Sequence, residues 1–236
     1  MNDIDVAKLQ AARTAAGLVE SGMTVGLGSG TTANLVVREL AERIRRESLQ
    51  FVGVPTSSAT ADLARAEGIS LRDVDELDTL EINLDGADEI DFQFRMIKGR
   101  GGALLREKIV ASAARRRVTI VTAEKRVGRL GSRMPLPVEV SGFGVRHTER
   151  AIRALGAETE VRRNPDGSSY VTDGGNLIID CRFASIDDPA ALEQRLRRVA
   201  GVFETGLFLG LCDLLIVGHA EQTELIENPS RARPGP

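Results

Sequence analysis

The sequence predicts an α/β protein, with an open, doubly wound, mostly parallel sheet and a smaller α+β portion after it. Short β-branched runs alternate with helix-period patterns through the first half of the chain. Strand, helix, strand in that rhythm implies parallel pairing through crossover helices. From about Ser132 the rhythm changes, which marks a second portion. At 236 residues the chain is long enough for two modest domains with their own cores.

In the first half, helix patterns cover Val6–Val19, Thr32–Arg46, Ala59–Glu67 and Ala103–Arg116. Strand patterns cover Thr24–Leu27, Phe51–Val54, Ser70–Arg72, Ile82–Leu84 and Val118–Val121. In the second portion a strand at Pro137–Val140 precedes a helix at Val145–Leu155 and a strand at Glu158–Arg162. The turn Asn164-Pro165-Asp166-Gly167 leads to a hairpin partner, Asn176–Arg182 reads as a further strand, and Pro189–Val199 (helix) and Val202–Leu207 (strand) follow. This is close to the β-α-β-β-α-β order of a ferredoxin-like unit. Leu214–Val217 reads as a last strand returning to the first sheet. The expected division is a Rossmann-like domain of residues 1–131 and 209–224, a ferredoxin-like domain of 132–208, and a disordered tail of 225–236, rich in Pro, Arg and Ser.

Composition removes several function classes. Aromatic residues are scarce, with no Trp and one Tyr, which disfavours a stacking platform for single-stranded nucleic acid. The net charge of -3 argues against a general grip on nucleic acid, which rests on a basic surface. Arg43, Arg45, Arg46 and Arg115–Arg117 fall at helix-pattern ends, where the helix dipole favours solvated cations. Cys181 and Cys212 each sit in an apolar run without metal-ligand spacing, so both are expected as buried free thiols in a reducing compartment. The N-terminus lacks the basic start and apolar core of a signal peptide. No apolar run approaches the roughly 18 residues that span a bilayer. A soluble, cytoplasmic protein is expected.

Three stretches carry candidate chemistry. In Val25-Gly26-Leu27-Gly28-Ser29-Gly30-Thr31-Thr32 a strand opens into a helix. Its glycines let amides approach an anion, the helix N-terminus adds partial positive charge, and Ser29, Thr31 and Thr32 add hydroxyls. The third glycine comes one residue too early for a dinucleotide site, and the lysine of a triphosphate loop is missing. A small phosphate monoester fits better, and a glycine turn with a threonine N-cap is the structural alternative. Lys8, on the first helix, is a candidate cation for the same phosphate, although a lone helical lysine is ordinarily a surface charge.

Leu84-Asp85-Gly86-Ala87-Asp88-Glu89 ends a buried-looking strand in carboxylates around a permissive turn. Such groups accept hydroxyl protons or orient a polyol. An Asp-rich turn capping the sheet and a hard-metal site, which needs several converging oxygens, are the alternatives. In Met96-Ile97-Lys98-Gly99-Arg100-Gly101-Gly102, glycines around Lys98 and Arg100 imply a backbone closely approached by something anionic. Glu107 follows on a helix. At ~100° per residue, Ala103, Leu104, Val110, Ala111 and Ala114 fall within roughly 60° of it. A carboxylate in an apolar arc is partly desolvated, which raises its pKa unless a cation opposes it, a useful state for a general base near neutrality. Leu105 and Ile109 lie opposite, so the helix is expected to be buried on both faces; a Glu paired at a packing seam is the structural alternative. Lys125 stands past the strand Val118–Val121, where a solvated lysine is the default. His147 and His219 share no ligand spacing, and no Gly-x-Ser-x-Gly elbow supports covalent acyl chemistry.

Together these stretches resemble the ribose-5-phosphate isomerase A family, from Lys8 to about Val217. The most specific parts are Gly28-Ser29-Gly30-Thr31-Thr32, Asp85-Gly86-Ala87-Asp88-Glu89-Ile90 and Met96 to Leu104, continuing into Arg106-Glu107-Lys108-Ile109. Pro135-Leu136-Pro137-Val138-Glu139-Val140 and Thr172-Asp173-Gly174-Gly175-Asn176 match the smaller domain. The resemblance implies interconversion of ribose 5-phosphate and ribulose 5-phosphate in the non-oxidative pentose phosphate pathway, with no metal or redox cofactor and a homodimer or higher homo-oligomer. It implies that Ser29, Gly30, Thr31 and Thr32 hold the substrate, with Lys8 a phosphate partner. Asp85, Gly86, Ala87, Asp88, Lys98, Gly99, Arg100 and Gly101 would line the sugar, Lys125 would be a further contact, and Glu107 the proton acceptor. Asp85, Asp88 and Lys98 would assist catalysis. Arg100 stands where some members have glycine, the Arg162–Tyr170 hairpin is somewhat long, and the tail has no family counterpart. A non-catalytic sugar-phosphate-binding regulator is the alternative function.

Overall fold

The computed structural model describes residues 2–231. In chain order it begins with α1 (Asp3–Ala16), β1 (Thr24–Leu27), α2 (Thr31–Glu47), β2 (Val52–Pro55), α3 (Ser58–Ala66) and β3 (Leu80–Gly86). A hairpin of β4 (Glu89–Ile90) and β5 (Met96–Ile97) precedes α4 (Leu104–Ala113) and β6 (Ala114–Thr122). Then come β7 (Leu136–Val140), α5 (Val145–Arg153), β8 (Ala157–Val161), β9 (Leu177–Phe183), α6 (Pro189–Arg197), β10 (Val202–Thr205) and β11 (Leu207–Phe208). β12 (Leu214–Gly218) and β13 (Thr223–Glu227) finish the chain's sheets.

These elements form two compact units. One comprises residues up to 87, 106–126 and those from 210 onward; the other comprises 88–105 and 127–209. The strand–helix rhythm groups 88–105 with the first unit, but in the structure they belong to the second. The reason is pairing: β4, β5 and β11 make a small sheet of their own, with Leu207 opposite Ile97.

The first unit is a six-stranded sheet ordered β13-β12-β6-β3-β1-β2, parallel throughout except for antiparallel β13. Helices cover both faces. Val25 and Leu27 of β1 point into a core with Ala11, Ala12 and Ala15 of α1 and Val36, Val37 and Leu40 of α2. Gly26, between them, faces the other way, where an added Cβ would meet Val110 of α4 at 2.7 Å. Small alanines along α1 let it lie close to the sheet, and each fully buried Val or Leu contributes about 1.5–3 kcal/mol. Glu81 of β3 accepts hydrogen bonds from the Thr24 hydroxyl and from Thr24 N (2.6 Å), linking β3 to β1. Those bonds, the hydroxyl's first, hold the Glu81 carboxyl below the usual glutamate range.

Two stretches differ from their sequence patterns. Ala114–Arg116 is strand, not the end of a helix, because Ala114 and Arg116 pair with Leu80 and Ile82. Arg117 is correspondingly no solvated end: its Nε and Nη2 donate to Asp213 Oδ2 (2.6 Å) and Oδ1 (2.7 Å), with both side chains mostly buried. The expected disordered tail contains the end of β13, through Glu227, and a 3-10 turn at Pro229–Arg231, anchored by Asn228 Nδ2 donating to Cys212 O at 2.8 Å. Residues 232–236 of that expected tail lie outside the described residues. Ser70–Arg72 contributes a single bridge, Leu71 to Gly53.

The second unit contains a four-stranded antiparallel sheet ordered β10-β7-β9-β8. With α5 between β7 and β8 and α6 between β9 and β10, this is the ferredoxin-like order. Its core joins Leu136, Val138 and Val140 of β7 to Ile152, Ile179 and Leu196. The expected strand Val202–Leu207 breaks at Gly206, where a Cβ would lie 2.4 Å from Lys98 O and 2.9 Å from Pro137. The chain changes sheets there. Cys181 and Cys212 are both free and buried; burial pushes both thiols up, Cys212 to about 12. Among the described residues no helix is long and apolar enough to cross a membrane.

Candidate active site

In the first unit β1 lies between β2 and β3, so the chain leaves β1 to one side and β3 takes the other. Open α/β sheets gather ligands at the carboxyl ends of strands at such a reversal. The glycine-rich loop after β1 and the Asp85 turn at the end of β3 both lie there. Gly28 N donates to Leu84 O (3.0 Å), and Ser29 N to Asp85 Oδ1 (3.2 Å). The same Oδ1 accepts from Gly86 N at 2.7 Å. The loop runs so close to β3 that a Cβ on Gly28 would lie 2.1 Å from Asp85 Oδ1 and 2.7 Å from its Cα. Only glycine fits.

Gly30, with φ of 99°, turns the chain into α2, whose N-terminus has no side-chain cap. The structural alternative, a threonine N-cap, is therefore not formed. The first-turn amides of a 17-residue helix instead face outward with partial positive charge, suited to an anion.

Behind the loop stands a hydroxyl cluster that sequence reasoning missed. Ser29 Oγ lies 2.8 Å from both Thr56 Oγ1 and Ser57 Oγ, and 3.2 Å from Thr60 Oγ1. Thr60 and Thr56 in turn donate to Gly28 O (3.0 Å) and Leu27 O (3.1 Å). The available signal was the run Thr56-Ser57-Ser58-Ala59-Thr60, which follows the strand pattern Phe51–Val54 after Pro55.

Lys125 ends a 3-10 turn after β6, and its Nζ donates to Ala87 O at 2.8 Å, beside the Asp85 stretch. Lys8 is half-buried on α1. Glu107 sits in the first turn of α4, 5% exposed, with Leu104, Val110 and Ala111 also buried. Three members of the expected apolar arc are thus in place. Ala114 belongs to β6, and Ile109 is 47% exposed, so α4 is not buried on both faces. As the crossover between parallel β3 and β6, α4 runs back against the strands, which sets its first turn at the sheet's carboxyl edge.

The remaining expected residues belong to the second unit. Lys98 is 5% exposed, with Nζ 5.5 Å from the centroid of the Phe208 ring, a favourable cation–π contact. Gly99 has φ of 105°, and Arg100 N donates to Asp88 Oδ2 at 2.9 Å. Asp88 and Lys98–Gly101 therefore form one loop cluster. Among the described residues no group of three His, Cys, Asp or Glu side chains is arranged to hold a metal ion.

The comparisons with known proteins bear on this arrangement. Residues 52–222 match the family model described as ribose 5-phosphate isomerase A (phosphoriboisomerase A). A protein of that name from Thermomicrobium roseum is 50% identical over 222 residues, covering 94% of this chain and 93% of the relative. A solved ribose 5-phosphate isomerase A from Methanocaldococcus jannaschii superposes with a TM-score of 0.90 at 39% identity, covering 94% of this chain and 98% of its own. A solved D-ribose-5-phosphate isomerase in complex with phospho-erythronic acid gives a TM-score of 0.91 at 35% identity, covering 96% of this chain and 100% of its own. The chain belongs to the ribose 5-phosphate isomerase A family.

Proposed function

We propose that this chain interconverts ribose 5-phosphate and ribulose 5-phosphate through a cis-enediolate, with Glu107 as the general base. Family membership makes it an aldose–ketose isomerase; the mechanism is read from its residues. Once the sugar ring opens, Glu107 takes the proton from C2 and returns it to C1. Negative charge develops on the substrate oxygens, and Lys98 and the loop amides of Gly99 and Gly101 stabilise it more in the transition state than before it. Asp85 and Asp88 orient or shuttle hydroxyl protons, and Lys125 is a further contact.

The phosphate sits against the α2 N-terminus with Ser29 to Thr32, assisted by Lys8. Holding the substrate by its remote end helps fix the reacting carbons. The observation that carries this reading is the pairing, in one unit, of an uncapped helix N-terminus with a buried carboxylate at the same edge of the sheet. The ligand in the solved relative, phospho-erythronic acid, carries a phosphate and a carboxylate, the two groups expected of an enediolate mimic.

The test is proton NMR of ribose 5-phosphate with the protein in deuterated water. Deuterium should wash into the exchanging carbon as ribulose 5-phosphate appears. Ribulose 5-phosphate formed with full retention of the proton would replace the enediolate route by a hydride shift, and neither product nor exchange would return the protein to a sugar-phosphate-binding role. The reading includes a cytoplasmic homodimer or higher homo-oligomer acting in the non-oxidative pentose phosphate pathway; sedimentation of the purified chain as a monomer would remove the assembly from it.

A further inference from the structure

The segment joining β8 to β9 holds the glycine loop of the second unit by its carbonyls. Arg162 is mostly buried, and its Nε and Nη2 donate to Asp180 Oδ2 (2.8 Å) and Oδ1 (2.5 Å). Its Nη1 donates to two successive loop carbonyls, Gly99 O and Arg100 O, both at 2.9 Å. Tyr170 takes the next one, its hydroxyl donating to Gly101 O at 3.0 Å. The Tyr170 side chain packs so tightly on Gly102 that a Cβ there would lie 2.2 Å from the phenol oxygen. Arg162 Cζ stands 5.8 Å from the Tyr170 ring centroid, so the two side chains also brace each other.

Three consecutive carbonyls are thereby fixed from one side. In a trans peptide the N–H points opposite its carbonyl, and no cis peptide is present among the described residues. Fixing Arg100 O therefore turns the Gly101 amide away from Arg162. A salt bridge kept only for packing has no need of these extra bonds, and a buried ion pair by itself is a poor source of stability.

We infer that Arg162 and Tyr170, with Asp180 behind the guanidinium, are positioning residues that set the backbone direction of Lys98 to Gly102 for the sugar. The inference rests on the proposed role of that loop in lining the substrate. Arg162 and Tyr170 act through the loop's peptide groups and not on the reacting carbons.

Three variants test it. Tyr170→Phe removes one hydrogen bond and keeps the ring. Arg162→Gln combined with Asp180→Asn removes the guanidinium without stranding a buried carboxylate. Arg162→Lys keeps the charge but loses the planar fork that serves a carboxylate and two carbonyls together. In Tyr170→Phe and the double variant, amide hydrogen exchange across residues 98–103 should quicken and kcat should fall about tenfold, with KM moving by less than about threefold. Arg162→Lys should fall between these and wild type, and Tyr170→Phe should melt close to wild type. Wild-type kcat in all three variants would overturn the inference, whatever happens to exchange or melting temperature. A fall in kcat matched by lost thermal stability, with loop exchange unchanged, would overturn it too. Failure of the wild-type chain to isomerise ribose 5-phosphate removes the proposed function itself, and is seen before any variant is compared.

Discussion

Glu107→Gln keeps the shape of the side chain and removes its ability to take a proton. Turnover should fall by about a hundredfold or more, the usual span for a lost general base, while KM changes little. Near-wild-type turnover would take Glu107 out of its role. Gly28 makes the opposite kind of prediction, because it has no chemistry to lose. The clash of a Cβ with Asp85 Cα at 2.7 Å is with backbone, which cannot swing aside. Gly28→Ala should cost about 1–3 kcal/mol in urea unfolding, as overpacked sites do, and should lower activity by displacing Ser29 and Asp85 together. Glu107 and Gly28 were legible in the sequence because local rules govern them: a helical arc and a tight turn. Thr56, Ser57 and Thr60 were not, since their hydroxyls meet Ser29 only after β1 and β2 pair.

Among the elements, long amphipathic helices and buried parallel strands declared themselves through periodicity, and most ends fell within a few residues of expectation. The misses share a cause. β4 and β5 are two residues each, too short to carry a period. β13 is mostly exposed and reads as a polar tail, Thr-Glu-Leu-Ile-Glu. Ala114–Arg116 was drawn into the sheet by pairing with β3, a tertiary effect stronger than local helix preference. The β1–β3 link offers a pH test. Because the Glu81 carboxyl is held below its unfolded range, it stabilises the fold above that range, and the contribution is lost as pH falls through the folded pKa. The melting-temperature gap between wild type and Glu81→Gln should be open at pH 7 and close as the solution becomes more acidic than the glutamate range. A gap that widened on acidification would contradict the assignment.

For the whole molecule, the chain passes between its two units after residues 87, 105, 126 and 209. Neither unit is one continuous stretch of sequence, so no single cut separates them. The expected functional residues are divided as well: Glu107, Lys125 and the phosphate loop belong to one unit, and Asp88 with Lys98 to Gly101 to the other. The chemistry proposed for them needs no Lewis acid, so exhaustive treatment with a chelator should leave isomerisation unchanged. A loss restored by magnesium or manganese would revive the hard-metal reading of Asp85 and Asp88.

Each unit also holds one sequestered sulfur, Cys181 in the ferredoxin-like unit and Cys212 in the other. Disulfide-exchange dyes react with thiolates, so each sulfur stays silent until its own surroundings open. Mass spectrometry of peptides tagged along a denaturant ramp would then time the opening of each half separately, with no engineered probe.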